Sequence, residues 1–129
     1  MKKTILAATF VIGLAANGIY AKETYNVLPM NIENSIGLEV SSFCKAIMKG
    51  DIETVEKLID LGEDVNKKSL GMTPVHFAAR YNKPEILQLL IDNGANLKTE
   101  SDNGYTAKKY AKLSNATEAL NVLEVAMKR

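Results

Sequence analysis

The side chains able to do chemistry are few and poorly placed for it. His76 is the only histidine and Cys44 the only cysteine in 129 residues. A protein metal centre needs several converging nitrogen, sulfur or carboxylate ligands, and neither residue has such company in sequence. Ser114 and Thr106 have no histidine to serve as their base. Glu53, Glu56 and Asp60 recur at helical spacing opposite Ile52, Val55, Leu58 and Ile59. That is the pattern of a solvated helix face. Glu63 and Asp64 fall in the loop beyond it. Gly62 and Gly94 follow apolar helical stretches instead of preceding them, so they cradle no phosphate. The chain is therefore expected to be non-catalytic, with no metal and no cofactor.

Composition narrows the class further. Hydrophobic residues make up 47% and charged residues 24%, as in an ordinary globular domain. The formal net charge is +1, which gives no electrostatic reason to bind nucleic acid or an anionic membrane.

The first residues read as a separate element. Lys2 and Lys3 precede an apolar run from Ile5 to Ala16, and Asn17-Gly18-Ile19-Tyr20-Ala21 then turns small and polar. This is the layout of a secretory signal peptide over 1–21. Cleavage is expected after Ala21, with Gly18 as the alternative. The apolar run falls short of the roughly 20 residues that span a bilayer, so an uncleaved anchor is the weaker reading. Removing 1–21 takes out two lysines and no acid, which turns the net charge from +1 to −1. The expected location is periplasmic or secreted, with no stable membrane anchor after cleavage. A single cysteine allows no internal disulfide in that oxidising space, so the domain must hold by packing. Residues 22–38 carry no sustained period and read as an extended lead-in or cap, with Leu28, Met30, Ile32 and Ile36 as its apolar contacts.

From Glu39 onward the pattern is helical. Phe43, Ala46 and Ile47 share one face, with Ser41 or Ser42 as the cap. Gly50-Asp51 interrupts, a second amphipathic helix follows from Ile52, and Gly62 closes it. The chain then repeats itself. Gly62 and Gly94, Ala46 and Ala78, and Leu58 and Leu90 are each 32 residues apart. Gly71 and Gly104, Thr73 and Thr106, and Ala78 and Ala111 are each 33 apart. The difference arises because the first connecting loop is one residue shorter than the second. The period divides 39–129 into units 39–69, 70–101 and 102–129.

Residues 71–98 closely resemble an ankyrin repeat: Gly71-Met72-Thr73-Pro74-Val75-His76-Phe77-Ala78-Ala79, then Glu85-Ile86 and Leu89-Leu90, then Gly94-Ala95-Asn96. The third unit keeps Gly104-Tyr105-Thr106 but has Ala107 for Pro and Lys109 for His, a departure expected of a terminal unit that meets water. The first unit has Ser41-Ser42-Phe43-Cys44 where Thr-Pro-x-His would stand. The resemblance implies an all-α ankyrin-repeat solenoid of three helix-turn-helix units with hairpin loops, preceded by the signal peptide. Gly71 and Gly104 permit positive φ in the hairpin. Thr73 caps, and Pro74 starts a helix where its missing N–H costs nothing. Ala78 and Ala79 let helices approach, while Leu89, Leu90 and Ile91 fill the core. The resemblance makes His76 structural, tying Thr73 to the neighbouring repeat.

The same resemblance implies protein binding along a concave surface of hairpin tips and first-helix ends. On this chain those positions are Met48, Lys49, Ser69, Leu70, Met72, Arg80, Tyr81, Asp102, Asn103, Tyr105, Leu113 and Ser114. The Tyr, Met and Leu members, with one Arg, are residue types that dominate interface energetics. Leu70 and Met72 could instead pack across the shortened hairpin. The expected role is a protein–protein interaction module, monomeric, with a partner of unknown identity. Two alternatives stay open. One is a small-molecule or cofactor carrier, or protective accessory protein, using the groove or Cys44. The other is a homo-oligomer stacked end to end, which Lys108, Lys109 and Lys112 argue against.

Overall fold

The computed structural model describes residues 39–129, so the signal-peptide and lead-in expectations lie outside the described residues. Residues 40–129 form one compact unit. Six helices follow in order: α1 Ser42–Lys49, α2 Ile52–Asp60, α3 Pro74–Arg80, α4 Pro84–Asp92, α5 Ala107–Leu113 and α6 Thr117–Met127. They pack in pairs, α1 on α2, α3 on α4 and α5 on α6. The first members line up as an inner row, with α3 against both α1 and α5. The second members form an outer row, with α4 against both α2 and α6. Among the described residues the architecture is all-helical, apart from one isolated antiparallel bridge between Ser69 and Met72.

Each helix start has a sequence cause. Ser41 Oγ accepts the Cys44 N–H at 3.2 Å, and Asp51 Oδ1 accepts the Thr54 N–H at 3.2 Å. Pro74 and Pro84 sit at the first turns of α3 and α4, where no intrahelical donor is needed. Gly62 ends α2 at φ 101 while the Glu63 N–H closes back on the Leu58 carbonyl. Ala78 and Ala79 are fully buried, which lets α3 seat closely against its neighbours. In α4 the fully buried residues are Leu87 and Leu90, with Ile86 close behind; Leu89 and Ile91 are only half-buried and flank the core.

The one-residue difference between the loops lies in the hairpins themselves. Ser69 and Met72 exchange both backbone hydrogen bonds, at 2.8 and 3.1 Å, around Leu70 and Gly71 alone. Leu70 and Gly71 have φ of 51 and 78, the positive pair that a two-residue type I′ hairpin turn demands. The next hairpin bonds Ser101 N–H to the Tyr105 carbonyl at 2.9 Å around three residues, the last being Gly104 at φ 81. Consecutive hairpins are joined by the Asp102 N–H donating to the Gly71 carbonyl at 2.9 Å.

Candidate functional site

His76 holds the joint at the base of the second hairpin. It is fully buried. Its Nδ1 lies 2.9 Å from the Thr73 backbone N–H, which can only donate, so Nδ1 is the acceptor. The proton therefore sits on Nε2, which donates to the Thr99 carbonyl at 3.0 Å. The Thr73 hydroxyl is a further 3.0 Å partner of Nδ1. The ring also meets Tyr110 of the next unit, with centroids 5.3 Å apart. Tyr110 in turn donates its hydroxyl to Ser101 Oγ at 3.0 Å. Burial pushes the His76 pKa down, since the charged ring would lose water. One imidazole thus caps α3 and pins the segment leading into the following hairpin. Both nitrogens are committed to this structure.

Cys44 occupies the corresponding place in the first unit. It is buried, and desolvation raises its pKa, which keeps it a thiol. Among the described residues no group of three or more His, Cys, Asp or Glu side chains is arranged to hold a metal.

The sequence-derived surface residues divide on inspection. Leu70 stands half-exposed at the first hairpin tip, and Leu113 is exposed at the end of α5. Tyr81 and Tyr105 are exposed at 39% and 38%, and each carries a cation above its ring. Arg80 Cζ lies 5.7 Å from the Tyr81 centroid, and Lys109 Nζ lies 5.7 Å from that of Tyr105. Lys49, Asn103 and Ser114 are also exposed. Asp102 is paired with Lys68 at 3.0 Å. Ser69 is half-buried because its Oγ accepts the Ser41 N–H at 2.9 Å, linking units one and two. Met48 is half-buried against the core.

Met72 corrects the expectation of exposure: it is buried. Its counterpart Tyr105 belongs to the last unit and has a neighbour on one side only. Met72 precedes α3, which is flanked by both α1 and α5, so its side chain is covered. Leu70, which could have packed across the same hairpin, does not.

Sequence reasoning missed Asn82 and Asn66. Asn82 is the turn residue between α3 and α4, at φ 52. Its Oδ1 accepts the Ala119 N–H at 3.0 Å, capping α6 of the following unit, and its Nδ2 donates to the Glu118 carboxylate. That bond holds the Glu118 pKa below the usual carboxylate range. Asn66 Oδ1 likewise accepts the Asn96 N–H at 2.8 Å across units. The available signal was Asn82 and Asn115, 33 residues apart at the inter-helix turn.

Three helix pairs joined by hairpins in a regular register, with one buried histidine bridge in the middle unit, make a specific pattern. A family model described as "Ankyrin repeats (3 copies)" matches residues 43–125. The chain belongs to the ankyrin-repeat family. It is 31% identical over 98 residues to the E3 ubiquitin-protein ligase hecd-1 of Caenorhabditis elegans, covering 74% of this chain and 4% of that protein. It is 32% identical over 83 residues to a putative ankyrin repeat protein of Rickettsia bellii, covering 60% of this chain and 12% of that one. The crystal structure of the human ASB11 ankyrin repeat domain superposes with a TM-score of 0.63 at 24% identity, over 67% of this chain and 39% of that chain, a likeness of fold. The chain spans less than a quarter of the length of the curated relatives it matches. Ankyrin repeats mark a protein–protein interaction module, and the ankyrin fold is generally a non-catalytic scaffold.

Proposed function

We propose that this ankyrin-repeat chain is an exported, monomeric, non-catalytic adaptor that binds a partner protein through its hairpin tips and inner-helix ends. Leu70 carries the reading. A leucine at positive φ costs roughly 1–2 kcal/mol relative to the right-handed region. Type I′ turns prefer asparagine or glycine at that place. Leu70 is 50% exposed, so burial in the folded chain does not offset that cost. An exposed, strained apolar side chain at a loop tip is a feature that binding would explain. Export rests on the Lys2-to-Ala21 layout and is checked by the mass of the mature protein, expected to begin at Lys22.

Two outcomes test the surface. Capture from the exported fraction is expected to weaken when Tyr81→Ala and Tyr105→Ala are combined; equal recovery of the same proteins by wild type and double variant places binding elsewhere. Leu70→Asn is expected to raise folding stability by about 1 kcal/mol while lowering capture. The urea midpoint and the recovered partner report the two effects. An increase in stability with unchanged capture would remove Leu70 from the interface.

A further inference from the structure

Charge is divided between the two rows of helices. The inner helices α1, α3 and α5 carry six cationic residues and no carboxylate. The outer helices α2, α4 and α6 carry seven carboxylates and one lysine, Lys57. Helix-dipole preference does not account for the division. That preference puts cations in last turns and acids in first turns. The outer helices α2 and α4 nevertheless end on Asp60 and Asp92. Lys49 and Arg80 end α1 and α3, and both are exposed. The near-zero net charge of the whole chain conceals this asymmetry.

We propose, on the footing that the inner row is the binding face, that its partner presents an acidic, extended protein segment with apolar residues between its carboxylates. Two cation–ring pairs would read it: Arg80 above Tyr81 at the end of α3, and Lys109 above Tyr105 at the start of α5, each with its cation 5.7 Å from the ring centroid. Each pairs a positive charge with an apolar ring face and a phenolic hydroxyl. A carboxylate and a neighbouring apolar side chain satisfy such a pair together. Packed helices stand about 8–10 Å apart. An extended chain advances about 3.3 Å per residue. Arg80 ends α3 whereas Lys109 lies in the first turn of α5, which adds about 6 Å along the helix axis, so the two cations match acids about three to four residues apart. Leu70 at the first hairpin tip and Leu113 at the end of α5, both exposed, offer apolar contacts. Duplex nucleic acid and anionic membranes match this face less well. Its cations alternate with leucine and tyrosine, and the carboxylate of Asp102 stands at the second hairpin tip.

The test uses the full chain and a labelled peptide of roughly twelve residues, with glutamate at every third position and leucine and tyrosine between. The comparison probes are its lysine-for-glutamate twin, a short DNA duplex and phosphatidylglycerol vesicles. The glutamate peptide is expected to bind tightest, with affinity falling as salt rises. Combining Arg80→Glu and Lys109→Glu is expected to weaken it at least about tenfold. The neutral pair Arg80→Gln and Lys109→Gln should fall between, and Lys57→Glu on the outer row should bind as wild type does. Circular dichroism checks that each variant is folded. Equal binding of the lysine twin, tighter binding of duplex or vesicles, equal loss in Lys57→Glu, or no binding of the glutamate peptide each overturns the acidic-segment assignment. Partner capture that depends on Tyr81 and Tyr105 would survive any of those results, so failure here is distinct from failure of the adaptor reading.

Discussion

His76→Ala is expected to destabilise the domain by roughly 3 kcal/mol, read as a lower urea midpoint. The ring makes two directional bonds that no neighbour can replace. Without it the buried Thr73 N–H loses its acceptor and the Thr99 carbonyl loses its donor. An unsatisfied buried group costs about 1–3 kcal/mol. Part of Tyr110's packing is lost as well, because the two rings are 5.3 Å apart. Asparagine and glutamine each carry one acceptor and one donor group but cannot reproduce the imidazole's reach to both partners. His76→Gln should therefore recover only part of the loss. A variant with wild-type stability would show that this bridge does not couple the repeats.

The same geometry sets a pH dependence. Nδ1 must stay unprotonated to accept from Thr73, and burial lowers the His76 pKa. The unfolded chain takes up this proton near the ordinary value of about 6.5, whereas the folded chain resists it. The His76 contribution is complete above that value. As pH falls below it, stability declines by up to about 1.4 kcal/mol per unit until the lowered folded pKa is reached. Lys68 is a charged residue whose positive charge adds to the resistance, and Tyr110 and Thr73 are the polar side chains against the ring. His76 is the only histidine in the chain, so a stability slope between about pH 7 and 5.5 belongs to it. That slope should vanish in His76→Ala.

What the sequence revealed follows the range of the interactions. Thr73 was legible as a cap because it stands directly before Pro74, whereas the structural role of His76 came from the resemblance to an ankyrin repeat and not from spacing alone. The positive-φ hairpin glycines and the first-turn prolines were legible, like Thr73, from local sequence. Burial of Met72 was not, because it depends on units stacked on both sides, and a repeat alignment equates it with the exposed Tyr105. The contrast between Leu89 and Leu87 was missed likewise, since both are leucines on one helix and only the packing direction separates them. The charge division between rows required knowing which helices share a row. Asn82 is the strongest case: its acceptor bond spans 37 residues.

Asn82→Gly is expected to cost roughly 1 kcal/mol, within the range measured for loss of a helix cap. Glycine keeps the left-handed backbone at this turn, so the loss isolates the side-chain bonds to Ala119 and Glu118. Asn82→Ala should cost about 1 kcal/mol more, because alanine pays for the left-handed conformation. Gly50 makes the converse test available. It occupies the equivalent turn between α1 and α2, at φ 77, without a side chain. The start of α4 has no side-chain cap. An open cleft of about 340 Å³ lies there, lined by Gly50, Lys83, Glu85 and Ile86. Ile86 stands where Ala119 stands in α6, so Gly50→Asn places an acceptor toward its N–H. The added Cβ would come within 3.3 Å of Lys83 Nζ, the far end of a flexible side chain that can swing aside. A gain of about 1 kcal/mol in folding stability, read as a higher urea midpoint, is expected, and it should offset the Asn82→Gly loss when the two are combined, since they act on different helices. A loss in Gly50→Asn would mean that the Lys83 displacement outweighs the new cap.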